Sequence, residues 1–109
     1  MSHKGNIEEA AQYFSKALVM NSEDFDAHNK LGGILAKQGN HDEAIRHFAE
    51  AIRINPHYAS AYNEMGIILA EKGKLQKSND FFLKAIQINP DLKEAQYNFL
   101  ILRKMRASQ

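Results

Sequence analysis

The sequence predicts an all-α chain of stacked antiparallel helix pairs. Three observations carry this: the chain repeats itself at a shift of 34 residues, each period holds two apolar stripes at helical spacing, and glycine and proline punctuate the stripes at fixed places. The shift superposes Gly5, Gly39 and Gly73, then Phe14, Phe48 and Phe82, then Ala17, Ala51 and Ala85, then Asn21, Asn55 and Asn89, and it pairs Pro56 with Pro90. An upstream set follows the same register without a gap: Ala27, Ala61 and Ala95; Leu31, Met65 and Phe99; Gly32 with Gly66; Leu35 with Leu69.

In chain order, residues 5–22 read as a turn followed by a second helix with no first helix before it. The next period, 25–56, holds a first helix at about 25–38, where Ala27, Leu31, Ile34 and Leu35 form a stripe. Gly39-Asn40 breaks it, as a C-terminal glycine and a turn residue should. A second helix follows at about 42–54, with Ala44, Ile45, Phe48, Ala51 and Ile52 on one face and Asp42 and Glu43 at its positive end. Asn55-Pro56 stops it, because proline lacks an amide proton and restricts the residue before it. The period 59–90 repeats the plan with helices at about 59–72 and 76–88, and 92–106 reads as a closing first helix. The expected architecture is five helices in one domain, 1–109: half a repeat, two full repeats and the closing helix.

Gly32 and Gly66 sit inside apolar stripes, where glycine costs about 1 kcal/mol relative to alanine. That cost is explained if helix backbones approach closely there, with Phe48 and Phe82 filling the space alongside. Expected core anchors are Phe14, Leu31, Leu35, Phe48, Ile52, Met65, Leu69, Phe82, Ile86 and Phe99. A single helix pair cannot cover both of its faces, so consecutive pairs must stack.

Bulk properties narrow the function. With 14 Lys and Arg against 13 Asp and Glu, the chain offers no broad field for nucleic acid or an anionic membrane. No apolar run approaches the roughly 20 residues of a membrane span, so no direct membrane insertion is expected. The opening "MSHKGNIEEA" lacks the apolar core of a signal peptide, and cysteine is absent, which leans toward a cytoplasmic setting.

The pattern resembles the tetratricopeptide repeat (TPR). The family's motif columns are filled by His28, Leu31-Gly32, Leu35, Ala44, Phe48, Ala51 and Pro56, and again by Tyr62, Met65-Gly66, Leu69, Ser78, Phe82, Ala85 and Pro90. His28 replaces an aromatic residue and Ser78 an alanine. The resemblance covers about 5–106 and implies a right-handed TPR-type solenoid whose first helices line a concave, peptide-binding groove. Carried over by position, the groove residues are Asp26, Asn29, Lys30, Gly33 and Lys37, then Ser60, Asn63, Glu64, Ile67 and Glu71, then Tyr97, Asn98 and Ile101.

Asn29 and Asn63 lie one period apart, and two amides in register can both donate to and accept from an extended peptide backbone; the bland reading is two solvated polar residues. The carboxylate clamp by which some relatives hold chaperone tails is not matched. Its columns hold Asn29 and Gly33, then Glu64, then Glu94 and Asn98, and acidic groups repel a carboxylate. The asparagine ladder of glycosyltransferase repeat arrays falls on Lys30, Glu64 and Asn98, of which one residue fits.

The expected function is therefore a protein–protein interaction scaffold taking a peptide or helix, not an enzyme and without a cofactor. The alternatives are an accessory segment of a larger enzyme such as a glycosyltransferase, or a self-associating module. Glu43 and His47 stand four apart with His41 just ahead, but a metal site needs three or four ligands, and His28 fills a packing column. Arg103, Lys104 and Arg106 suit a helix C-terminus better than nucleic acid. The missing first helix should leave part of Ala10, Phe14 and Ala17 uncovered, and "NFLILRKM" is apolar for an outer face. A closing helix seated in the empty first-helix place of a second copy would form a homo-oligomer.

Overall fold

The computed structural model describes residues 3–108; Met1, Ser2 and Gln109 of the expected domain lie outside the described residues. Six helices are present among them, and no strand: α1 (His3–Met20), α2 (Phe25–Lys37), α3 (His41–Ile54), α4 (Ala59–Glu71), α5 (Leu75–Ile88) and α6 (Lys93–Ala107). The expected count of five is corrected to six, since the half repeat and the closing helix give one each and the two full repeats give two each. The last five helices match their expected bounds to within a residue. The first does not: Gly5-Asn6, read as a turn by analogy with Gly39-Asn40, lies inside α1. Gly5 is helical on both sides, whereas Gly39 ends its helix with a positive φ.

The chain divides into two compact units, Met1–Pro56 and His57–Gln109. In the first unit α2 and α3 form a hairpin, and α1 packs on α2. In the second unit α4 and α5 form the hairpin, and α6 packs on α5 and more lightly on α4.

Both hairpin turns close in the same way. Gly39 (φ 85°) and Gly73 (φ 79°) are the described residues with positive φ. Around them Asn40 N–H donates to Leu35 O at 2.9 Å and Gly39 N–H to Ala36 O at 3.0 Å; Lys74 N–H donates to Leu69 O at 2.8 Å and Gly73 N–H to Ala70 O at 3.0 Å. This paired closure satisfies carbonyls that a helix end leaves open, and its left-handed residue favours glycine. The asparagine column has a separate job. Asn21 Oδ1 accepts from Glu23 N–H and Asn89 Oδ1 from Asp91 N–H, each at 3.1 Å, turning the chain out of one helix and toward the next. Asp24 then caps α2, its carboxylate accepting from Ala27 N–H at 3.1 Å.

Each hairpin is centred on one contact. A Cβ placed on Gly32 would stand 2.7 Å from the Phe48 ring, and one on Gly66 would stand 2.5 Å from the Phe82 ring. The glycines therefore make room for an aromatic edge; the expected close approach is backbone against ring. Phe48 and Phe82 are buried accordingly, while Phe14 in the same column is only half-buried, since among the described residues no glycine-bearing helix covers it.

Small residues of the repeat, Ala27, Ala44, Ala51, Ala61, Ala85 and Ala95, are buried throughout. Ser78 is equally buried, and its Oγ–H donates to Gly66 O at 2.6 Å, so the hydroxyl in an alanine column is satisfied across the hairpin. Among the expected anchors Leu31, Phe48, Leu69 and Phe82 are buried. Phe14, Leu35, Ile52, Met65, Ile86 and Phe99 are half-buried. Ile68 and Leu102 are buried and were not expected. They share a column with Ile34, one position before the leucine column, so the same 34-residue shift contains them.

Adding one methyl at the ring contact should be costly. Gly66→Ala and Gly32→Ala should each destabilise by about 1–2 kcal/mol, the overpacking of a filled site outweighing the gain in helix propensity. Gly33→Ala meets nothing within 4 Å and should be neutral or stabilising by up to about 1 kcal/mol. Phe48→Ala should cost about 3–5 kcal/mol. Urea denaturation of the four variants measures all of these.

Candidate functional site

The sequence-predicted groove residues fall into two groups, one in each unit. In the first unit Asp26 and exposed Lys30 form an ion pair at 3.9 Å, each side chain about half exposed, an arrangement that contributes little. Asn29 is buried at 8% exposure, Gly33 is half-buried and Lys37 is exposed. In the second unit Ser60 and Glu64 are half-buried on α4, and Tyr97 stands 66% exposed on α6.

Asn63 departs furthest from a solvated amide. It is 2% exposed, and its Oδ1 accepts from Asn98 Nδ2–H at 3.1 Å, tying α4 to α6. Two residues proposed from sequence as ligand contacts thus meet each other. The amide that remains nearest solvent is the half-buried Asn98.

Asn98 opens onto a cleft of about 260 Å³ among α4, α5 and α6. Its buried floor is Phe82 and Leu102, with half-buried Ile67 and Ala70 beside them, and its exposed rim is Glu71, Ile101 and Met105. Four sequence-predicted residues, Ile67, Glu71, Asn98 and Ile101, therefore line one apolar cleft; Ser60, Asn63, Glu64 and Tyr97 do not line it. Met105 and Ala70 were missed, although each continues a helical row already chosen, four residues beyond Ile101 and three beyond Ile67.

A second, polar cleft of about 450 Å³ lies at the α2–α3 turn, lined by Gly39, Asn40, His41, Asp42, Glu43 and Arg46. Among the described residues no three of His, Asp and Glu gather as a metal ion would require. His47 does not line that cleft. Its Nδ1 lies 3.0 Å from Nδ1 of His28, and Nε2 of His28 lies 2.9 Å from the Ser22 carbonyl oxygen. Nearby, Arg53 Nη2 bridges Glu23 at 2.8 Å and Glu50 at 2.9 Å, linking the α1–α2 turn to α3.

The tetratricopeptide-repeat family model matches residues 4–59 and 37–93, between them most of the chain. The chain belongs to the tetratricopeptide-repeat family. No curated protein matches it, whereas 126 solved chains do. The TPR protein YrrB, described as having an unusual peptide-binding site, is 32% identical over 84% of this chain and 47% of its own, with a TM-score of 0.77. The first TPR of Spaghetti (RPAP3), solved with the HSP90 peptide SRMEEVD, shares 16% identity over 95% of this chain and 82% of its own, with a TM-score of 0.86. The MamA protein shares 23% identity over 93% of this chain at a TM-score of 0.82, and this TPR chain spans 55% of its length. No helix of the TPR chain is long and apolar enough to cross a membrane among the described residues.

The Asn63–Asn98 bond makes a testable claim about these amides. Asn98→Ala leaves the buried Asn63 oxygen without its donor and should destabilise the protein by about 1–3 kcal/mol. Thermal denaturation measures it; an unchanged midpoint would mean that Asn63 is hydrated rather than held.

Proposed function

We propose that this chain is a peptide-binding interaction module and that the α4–α6 cleft seats one apolar side chain of an extended peptide. The observation that carries the reading is the convergence of Ile67, Glu71, Asn98 and Ile101 on a cleft whose floor is a buried aromatic ring. A space of about 260 Å³ fits one large aliphatic or aromatic residue, the scale at which a peptide anchor contributes most of its affinity. Asn98 stands at the wall with a donor and an acceptor, suited to the peptide backbone beside that anchor. Within the second unit Ser60, Glu64 and Tyr97 belong to this reading by family position, and Asn63 serves it by holding Asn98; on α2 of the first unit the family positions are Asp26, Asn29, Lys30, Gly33 and Lys37. Peptide complexes of family members with the same fold support it. The acidic columns at Glu64 and Glu94 set the preferred peptide apart from one ending in a clamped carboxylate.

Exposed apolar groups at Val19, Met20, Leu100 and Met105 favour a second copy of the chain as a further partner. The register of that association is restricted. Leu100 occupies the glycine column of Gly32 and Gly66, and Phe14 the column of Phe48 and Phe82. Docking α1 of one copy on α6 of another in the repeat register would set Leu100 against Phe14, at a place where even a Cβ has no room.

Two outcomes follow. Peptides selected from a random display library against the whole chain should lose about 30-fold or more in affinity to Ile101→Arg, equivalent to about 2 kcal/mol, with the melting midpoint little changed. Selected peptides that bind both proteins equally would remove the cleft from the site. In light scattering across the micromolar range, Leu100→Gly should associate more strongly than the parent chain, since it reopens the seat for a ring.

A further inference from the structure

The His28–His47 contact has chemistry that packing does not require. A carbonyl only accepts, so the His28 Nε2 facing Ser22 O at 2.9 Å carries a proton and donates it. In a neutral ring His28 Nδ1 is then an acceptor, and the His47 Nδ1 at 3.0 Å must be the donor. One added proton is taken up without breaking this bond, entering at His47 Nε2. His47 Nδ1–H then either keeps donating to His28 Nδ1 or hands its proton across, so that His28 donates from both nitrogens and His47 Nδ1 accepts. A second proton puts N–H groups on both facing atoms, and two cationic rings then confront each other at hydrogen-bond distance. The contact must open.

The repeat supplies its own comparison. One period along, the His28 and His47 positions hold Tyr62 and Phe81. The two ring pairs have the same interplanar tilt of 35°, with centroids 5.2 Å apart for the histidines and 6.2 Å apart for Tyr62 and Phe81. One position in the fold thus carries an ionisable hydrogen bond in the first unit and a ring pair that cannot gain a proton in the second.

We propose that the His28–His47 pair is an acid-released clasp between α2 and α3, so that the first unit loosens below neutral pH while the second does not. The surroundings set its working range. Burial holds His47 below the ordinary imidazole value of 6.5, and His28 and Arg46 push the same way, while Glu43 and Glu50 oppose them. Arg53 keeps Glu50 below the usual carboxylate range, so that carboxylate stays charged while His47 gains its proton. From the α1–α2 turn, Glu23 is engaged by Arg53 and Asp24 by the α2 N-terminus. On α2 itself Asp26 pairs with Lys30, and α1 places Glu8, Glu9 and Lys16 at the exposed surface.

The sign follows from His47. Because the fold lowers its proton affinity, the unfolded chain binds the proton more readily. The clasp's contribution is whole above about 6.5 and is lost as pH falls from there through the lower value His47 has in the fold. His47 adjoins Phe48, and His28 lies one helical turn before Gly32, so the charge arrives next to the ring contact at the centre of the hairpin.

Nitrogen-15 NMR of the imidazoles in the whole chain tests the pairing directly. With both rings neutral, His28 Nδ1 should appear bare and His47 Nδ1 protonated, the pattern that their shared bond requires; a bare Nδ1 on both rings would overturn the clasp. Hydrogen exchange, corrected for its intrinsic pH dependence, tests the consequence. Between pH ~7.5 and ~5, protection in α2 and α3 should fall at least ~10-fold more than in α4 and α5. The double variant His28→Tyr/His47→Phe, which installs the second unit's ring pair, should hold its α2 and α3 protection within ~2-fold over the same range. An equal fall in both units, or a variant as acid-sensitive as the parent, would overturn the proposal.

Discussion

The fold depends on an aromatic ring set against a helix that has no side chain at the point of contact. At Gly32 and Gly66 the partner ring lies where a Cβ would be, so helix and ring meet at a separation no other residue permits. The surrounding alanine columns are a consequence, because helices this close leave no space for longer groups at 27, 44 and 51 or at 61 and 85. Ser78 shows how narrow the tolerance is. It adds one oxygen to an alanine-sized site, and that oxygen is accommodated by bonding the carbonyl of the glycine opposite.

Legibility from sequence followed the physics of each feature. Helix bounds were readable because glycine with positive φ and Asn-Pro act locally, through the backbone of the residue itself. The α1 boundary was misread because Gly5 resembles Gly39 in sequence but lies inside a helix. The core columns were readable from the period, yet the column of Ile68 and Leu102 was passed over beside the stronger leucine column. A one-dimensional stripe does not say which of two adjacent apolar positions a third helix will cover.

The candidate site was less legible for a related reason. Asn63 sits on the expected helix, but whether an amide faces solvent or a neighbouring amide depends on α6, some 35 residues away. The cleft residues Ile67, Glu71, Asn98 and Ile101 were named by family position, whereas their meeting on one apolar pocket required Phe82 and Leu102 beneath them. His28 was read as packing, and its ring does pack. Its bonds to His47 and Ser22 could not be inferred from a column that usually holds a residue without a second titratable neighbour.

Leu100 has a consequence beyond its own exposed surface. In a stack of repeats each first-type helix offers a seat for the ring of a second-type helix, and a seat left open lets copies add one after another into a fibre. An isobutyl group in the column otherwise kept empty for a ring removes that geometry at the cost of one residue. On α6, a ring arriving in the repeat register therefore finds no open seat.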